Sequence, residues 1–324
     1  MGLRFLAFGA ALCGALIGPR PAGAADEYPS RPIRVMVGFA AGGVADITIR
    51  MVGQHLSERL GQAVVVDNRP GAGGIIATEA AASATPDGYT LLLVTNGTAI
   101  TQSLFKTLPF DAAADFAAIS LIGQFDIVVL TAADAPFHTV GDLIDAARAR
   151  PGMVTIGTVN PGSTQHLSAE LFKSMAGIDA VTVPFRTTPA VVAALLAGEV
   201  QVGFEMLAPV KPQIEAGALR ALAVSADHRF PRLPAVPTVQ ESGLPGYQVS
   251  AWNALAAPAR TPPAVIARLQ REIEAVLELS DVRQALLDLG IEPRGSSSEA
   301  AQRMLVAEIE KWHAVIERAG IQPQ

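Results

Sequence analysis

The residues best placed to do chemistry lie in loops rich in glycine, hydroxyl and amide groups. The segment Phe39-Ala40-Ala41-Gly42-Gly43-Val44-Ala45-Asp46 carries paired glycines, which free the backbone to turn and expose N–H groups. As the opening of a helix it would favour anionic ligand atoms, with Asp46 capping the helix or pairing with Arg50 four residues on. It also reads simply as a tight strand-to-helix turn. A second segment, Thr158 to His166 (TVNPGSTQH), is dense in hydroxyl and amide groups. Ser163 and Thr164 can cap a helix there and still offer donors to a ligand. The same residues admit a nucleophile, Ser163, with His166 as its base, although no Gly-x-Ser-x-Gly elbow surrounds the serine and no third member is evident.

Other groupings carry less. Gly71-Ala72-Gly73-Gly74 is followed by Ile75 and Ile76, so neither a dinucleotide fingerprint nor a phosphate loop is matched, and a permissive turn into a helix is expected. His55, His138, His166, His228 and His313 show no metal-ligand spacing. Neither a metal nor a nucleotide cofactor is expected. Trp252 and Trp312 read as core. Across the loops that follow Phe39, Val94, Thr158 and Val183 the only basic residue is Arg186. An anion there would be held mainly by amides, hydroxyls, helix ends and water.

The elements that must position these loops alternate along the chain. Ile33–Phe39 reads as a buried strand, and a helix follows to about Gly61 with Ile49, Val52, Leu56 and Leu60 on one face. Strands are expected at Ala63–Asp67, Thr90–Val94, Ala118–Gly123 and Ile127–Leu130, with an Ala-rich helix from Gly74 to about Ser83. Thr139 and Asp142 form a capping-box pattern before Leu143–Arg150. Strands at Val154–Thr158, Ala180–Val183, Val200–Phe204 and Arg220–Val224 then alternate with helices from about Ser163 to Ala176, Pro189 to Ala197 and on to Ala216. Residues 226 to 247, rich in Pro and Gly, read as an ordered surface crossing. Strand Ala254–Ala257 precedes three helices, about 263–278, 281–289 and 298–319, the last two separated by Gly290 and Pro293. Such alternation argues for an α/β architecture with largely parallel sheets, whose ligands bind beyond the carboxyl ends of the strands.

The amino terminus bears on where the chain works. Arg4, the uncharged and mostly apolar run Phe5–Gly18, and the small-x-small pattern Ala22-Gly23-Ala24 read as a signal peptide over residues 1–25. The run is too short to span a bilayer. Cys13, the only cysteine, lies within it and follows Leu12 rather than the small residue of a lipid-attachment site, so a cleaved product is expected, with cleavage near Ala24–Asp26. That product would lack disulfides, Cys-ligated zinc and a Cys nucleophile. Losing residues 1–24 removes Arg4 and Arg20 and no acid, taking the net charge from −6 to −8. With 5% aromatic residues and no basic stripe, nucleic acid is not an expected partner. Half of the chain is apolar and 17% is charged, the composition of a compact globular protein, and the length suggests two domains.

A series of strings then points to a family. VGFAAGGVAD (37–46), VVVDNRPGAGG (64–74), PDGYTLLL (86–93), HLSAELFKSMAGI (166–178), VPF (183–185), LRALAVSADHR (219–229), PAVPTVQESGLPGY (234–247) and AAPARTP (256–262) occur in this order. Together they resemble the Bug, or tripartite tricarboxylate transporter, substrate-binding proteins, over about residues 28 to 320. The resemblance implies a periplasmic binding protein of type II: two α/β lobes joined by a hinge, with a ligand cleft between them. It implies a small carboxylate ligand (a dicarboxylate, tricarboxylate, amino acid or aromatic acid), gripped by backbone amides, hydroxyls and waters, and a membrane permease of the tripartite type as partner. Carried over by position, Phe39, Ala41, Gly42, Gly43 and Asp46 match the first pocket loop. Thr95, Asn96 and Thr98 match the second, with Ala99 where the family often has His. Thr158, Ser163, Thr164 and Gln165 match the third.

Two stretches depart from the family pattern. Pro184-Phe185-Arg186-Thr187 stands where the family often has Pro-Tyr-Lys-Gly, and Phe204-Glu205-Met206 where it often has Phe-Asp-Asn. Phe185, Arg186 and Glu205 are therefore candidate ligand contacts. Arg186 would offer a planar fork to a distal carboxylate, and Glu205 an acceptor for an amine or hydroxyl. The alternative is that the two charges pair with each other or sit solvated on the rim. The expected protein is a monomeric, non-catalytic receptor in the periplasm, its lobes formed by residues 26–126 plus 251–324 and by 127–250. A secreted hydrolase using Ser163 and His166 is the alternative. An effector-binding lobe of a transcription regulator shares the type II fold, but the leader and the lack of a DNA-binding domain oppose it.

Overall fold

A computed structural model describes residues 28–323; the signal peptide assigned to residues 1–25 lies outside them. The chain runs β1 (Ile33–Val37), α1 (Val44–Leu60), β2 (Val64–Asn68), α2 (Ile75–Ala82), β3 (Thr90–Thr95) and α3 (Asn96–Leu104). Then come β4 (Phe116–Ala132), α4 (Val140–Ala149), β5 (Thr155–Val159), α5 (Thr164–Ala176), β6 (Val181–Phe185) and α6 (Thr188–Leu196). β7 (Val202–Met206), α7 (Leu207–Glu215), β8 (Leu219–Val224) and β9 (Ser250–Pro258) follow, and α8 (Pro263–Leu277), α9 (Ser280–Asp288), β10 (Ile291–Pro293) and α10 (Ser298–Arg318) complete the order. No described helix is long and apolar enough to cross a membrane.

The strands lie in the order β2-β1-β3-β9-β4-β7-β5-β6, with β8 and β10 also paired to β4. β1 pairs in parallel with β2 and β3, and β5 in parallel with β6 and β7. The sheet is nevertheless mixed rather than largely parallel, because β4 and β9 run antiparallel to their neighbours. A strand that closes a sheet by crossing from a distant part of the chain has no βαβ connection to force it parallel.

β4 is one strand of 17 residues, where two short ones were expected. Its first part pairs with β9 as far as Asp126↔Ser250, and its second part pairs from Ile127 onward with β7 and β8. The uncharged run on either side of Asp126 gives no break at which a second strand would begin. The chain returns at Val249, whose N–H donates to Ser225 O at 2.9 Å, just before β9 starts. Two α/β lobes thus share β4, and β9 runs back beside it.

Three apolar clusters hold the layers together. Ile49, Val52 and Leu56 of α1 meet Val35 and Leu91 of the sheet and Leu269 and Ile273 of α8. In the second lobe Val191 and Leu195 of α6 pack with Val128, Leu130 and Val210. The third cluster runs through both lobes, joining Ala99 and Ile100 of α3, Leu143 of α4 and Phe172 of α5 to Leu305 and Trp312 of α10. The segment 226–247 is an ordered crossing, as its sequence suggested: Phe230 and Tyr247 are fully buried, and Ser168 Oγ lies 2.6 Å from the Tyr247 hydroxyl.

Candidate functional site

Where the carboxyl ends of β1, β3, β5 and β7 give way to α1, α3, α5 and α7, the lobes enclose a cavity of about 340 Å³. The first amides of a helix have no intrahelical acceptor, so each start carries unspent N–H groups and a positive dipole end. Gly43 and Ala45 of α1, Asn96 and Gly97 of α3, Thr164 and Gln165 of α5, and Ala208 of α7 line the space. None of the described residues lining it is charged. Phe39, Ile100, Phe125, Met206 and Trp252 supply apolar wall. The site therefore suits an anionic head with an apolar body, the head bound by helix ends rather than by Lys or Arg.

The first loop is shaped by Asp46. Its buried carboxylate accepts from Gly42 N at 2.9 Å, Arg50 Nε at 2.9 Å and Asn68 Nδ2 at 2.9 Å. Arg50 foremost, with Gly42 and Asn68 helping against the cost of burial, holds the Asp46 carboxyl down to about 2. Asp46 thus forms the pair with Arg50, while Gly43 takes the cap position without a side-chain cap bond; Asp46 does not line the cavity. Gly42, with φ +83°, supplies the left-handed turn that brings its N–H to Asp46. Ala41 and Gly42 stand exposed outside the cavity, while Phe39 and Gly43 line it.

In the second loop Thr95 and Thr98 form a capping box, and Thr95 rather than Thr98 faces the cavity. Asn96 lines the cavity and also braces it. Its Oδ1 accepts from Trp252 N at 2.8 Å, and its Nδ2 donates to Ser250 O at 3.2 Å. In the third loop Ser163 caps α5, accepting from His166 N at 3.1 Å while its hydroxyl donates to Val159 O at 2.9 Å. His166 Nδ1 accepts from Gly162 N at 3.4 Å, so the serine proton is committed away from the imidazole. Burial lowers the His166 pKa, and nothing in this geometry makes the pair a nucleophile and base. Ser163, Thr164 and Gln165 line the cavity; Thr158 is fully buried behind it, its hydroxyl without a partner.

The two departures from the family pattern land elsewhere than expected. Arg186 is exposed on the β6–α6 turn, and Phe185 packs against the second lobe's core; neither lines the cavity. β6 ends at Phe185 and α6 begins at Thr188, so Arg186 falls on the turn between them. Glu205 is fully buried behind Gln165 rather than on the wall or on a rim, and it accepts from Thr188 Oγ1 at 2.8 Å instead of pairing with Arg186.

Sequence reasoning missed the floor. Ala251, Trp252 and Asn253 of β9 and Phe125 of β4 line the cavity at the crossings between lobes. Trp252 Nε1 and Asn253 Nδ2 are buried donors without a protein acceptor, a costly state that an acceptor-rich ligand relieves. The signal was the mixed string Ser250-Ala-Trp-Asn253 preceding an obvious apolar strand.

Residues 48–321 match the tripartite tricarboxylate transporter family receptor. Protein BugT of Bordetella pertussis is 36% identical over 298 residues, which cover 91% of this chain and 91% of that one. The solved structure of R. palustris Rpa4515 with adipate is similar at a TM-score of 0.79 and 36% identity, covering 92% of this chain and 100% of that chain. MatC from Rhodopseudomonas palustris with bound malate is similar at 0.73 and 30% identity, covering 89% of this chain and 100% of that chain. With its lobes, its shared strand and its uncharged cavity at the helix starts, the chain belongs to the tripartite tricarboxylate transporter receptor family.

Proposed function

We propose that this protein is a periplasmic receptor that captures a small carboxylate and delivers it, chemically unchanged, to a membrane permease of the tripartite type. The observation that carries this reading is the convergence of four helix N-termini on a cavity whose described lining has no charged side chain. Such a site stabilises a carboxylate through amides and hydroxyls, while Phe39, Ile100 and Trp252 cover the apolar remainder of the ligand. Adipate in one relative and malate in another support a dicarboxylate with a short carbon chain. We propose residues 26–126 with 251–324 and residues 127–250 as the lobes of a monomer, closing about the crossings at Asp126–Ile127 and Val249–Ser250. The change of pairing partner along β4 supports that division. The amino-terminal signal peptide would direct export and then be cleaved. Mass spectrometry of small molecules released from protein purified from its native periplasm tests the reading. A small organic acid, recovered intact, is expected; a carbohydrate or a hydrolysed product would overturn it.

A further inference from the structure

Glu205, near the end of β7, is fully buried, yet only one of its oxygens is in use. Oε2 accepts from Thr188 Oγ1 at 2.8 Å and from Gln165 Nε2 at 3.4 Å, while Oε1 is buried without a partner. Thr188 is the first residue of α6, and Gln165, the second of α5, lines the cavity. The carboxylate therefore sits one side chain behind the wall, and the polar side chain that links it to the ligand space is Gln165.

An ionised carboxylate can only accept, so the Gln165 carboxamide must turn its NH2 group toward Glu205. What Gln165 then offers to the cavity is Oε1, an acceptor, in a lining otherwise supplied with donors. An acceptor there gains nothing from a second carboxylate but is matched by a hydroxyl. Resting on the carboxylate-receptor reading above, we propose that Glu205 is a specificity-determining positioning residue, which orients Gln165 so that the cavity prefers a hydroxy acid to the same acid without its hydroxyl.

Protonation of Glu205 removes the constraint. Burial pushes this carboxyl up to about 7, against the hydrogen bonds from Thr188, Gln165 and the Met206 backbone. The elements packed against β7 carry Asp126 on β4, His166, Glu170 and Lys173 on α5, and Lys211 and Glu215 on α7, and Arg186 precedes α6. None of these shifts Glu205, and Glu170–Lys173 and Lys211–Glu215 pair among themselves. A protonated Glu205 can donate to Gln165 Oε1, letting the carboxamide turn over and present NH2 to the ligand instead. The preference for a hydroxyl is thus present above about pH 7 and fades below it.

The test compares matched pairs, malate with succinate and 2-hydroxyadipate with adipate, by calorimetry at about pH 8 and about pH 6, in wild type and Glu205→Gln. At the higher pH wild type should bind the hydroxy acid of a pair about tenfold more tightly, the value of one well-placed hydrogen bond. The ratio should fall toward one at the lower pH. The carboxamide introduced by Glu205→Gln can donate or accept, so the variant's ratio should be near one and insensitive to pH. A wild-type ratio near one at the higher pH, or one that survives unchanged in Glu205→Gln, overturns the proposal. If none of the four acids binds, the carboxylate reading itself has failed, and the ligand-free protein still decides the positioning role. The side-chain amide resonance of Gln165, identified by its loss in Gln165→Leu, should then titrate with a midpoint near 7 in wild type. A resonance that does not move across that range overturns the link between Glu205 and Gln165.

Discussion

Asp46 and Glu205 are both buried carboxylates close behind the cavity wall, and their surroundings drive their proton affinities in opposite directions. Asp46 is met by Arg50, Asn68 and a backbone N–H; Glu205 has a hydroxyl, an amide and one idle oxygen. Asp46 is therefore an ionised brace that fixes the path of the Gly42-Gly43 turn and so the aim of the α1 amides. Asp46→Ala should lower stability at neutral pH by about 1–2 kcal/mol, the loss of a buried carboxylate's hydrogen bonds to Gly42 N, Arg50 and Asn68. Because the folded pKa lies below the unfolded one, this contribution is present above about pH 4 and is lost as the pH falls toward 2. Urea denaturation at neutral and acidic pH checks it: the gap between wild type and variant should narrow on acidification. A constant gap would mean that Asp46 acts through packing alone.

The elements whose sequences were amphipathic or capped were legible, and those that needed tertiary context were not. α1 ends at Leu60, with Gly61 in a left-handed cap close to the expected end, and Thr139 caps α4 through Asp142 N at 3.1 Å. α3 escaped notice because Asn96-Gly-Thr-Ala-Ile-Thr-Gln-Ser-Leu104 has weak helix formers and little apolar period. Its packing against α10 sustains it, and Asn96 Nδ2 lies 3.5 Å from Glu308 Oε2, which also accepts from Trp312 Nε1 at 2.9 Å. The start of β9 and the continuity of β4 were equally hidden, since both depend on strands far away in the chain. At their crossing Asp126 is buried beside a network that bridges the lobes, in which His228 Nε2 lies 2.6 Å from Glu292 Oε2. Burial pushes Asp126 up to about 7, with His228 opposing and Glu292 and Asp227 adding to the rise. A folded pKa above the unfolded one means a contribution fully present below about pH 4 and lost as the pH rises through 7. Asp126→Asn should accordingly be more stable than wild type at about pH 8, by on the order of 2 kcal/mol, with the difference vanishing near pH 4. Chemical denaturation across that range measures it, and a difference independent of pH would place the cost elsewhere.

At the scale of the molecule, contacts join distant parts of the chain near the cavity and away from it. A Cβ on Gly162 would stand 2.6 Å from Leu104 Cδ1, so the β5–α5 loop meets the end of α3 at the rim. Arg232 Nη2 reaches Asp288 Oδ1 of α9 at 2.8 Å. The α/β class was readable from the chain, as were three of the loops whose residues line the cavity. The floor contributed by β9 and the placement of Glu205 behind Gln165 were not, because both arise from pairing across the shared strand. The proposed ligand site is a cavity that offers an anion helix starts, hydroxyls and the Trp252 and Asn253 donors in place of Lys or Arg. Calorimetric comparison of a bound dicarboxylate with its monoamide, nearly the same in size and shape, tests that claim most directly. Helix ends and charge-assisted amides contribute about 3 kcal/mol to the ionised head, so the monoamide of the buried carboxylate should bind on the order of a hundredfold more weakly. Equal affinity for the acid and both of its monoamides would contradict a site built for a carboxylate.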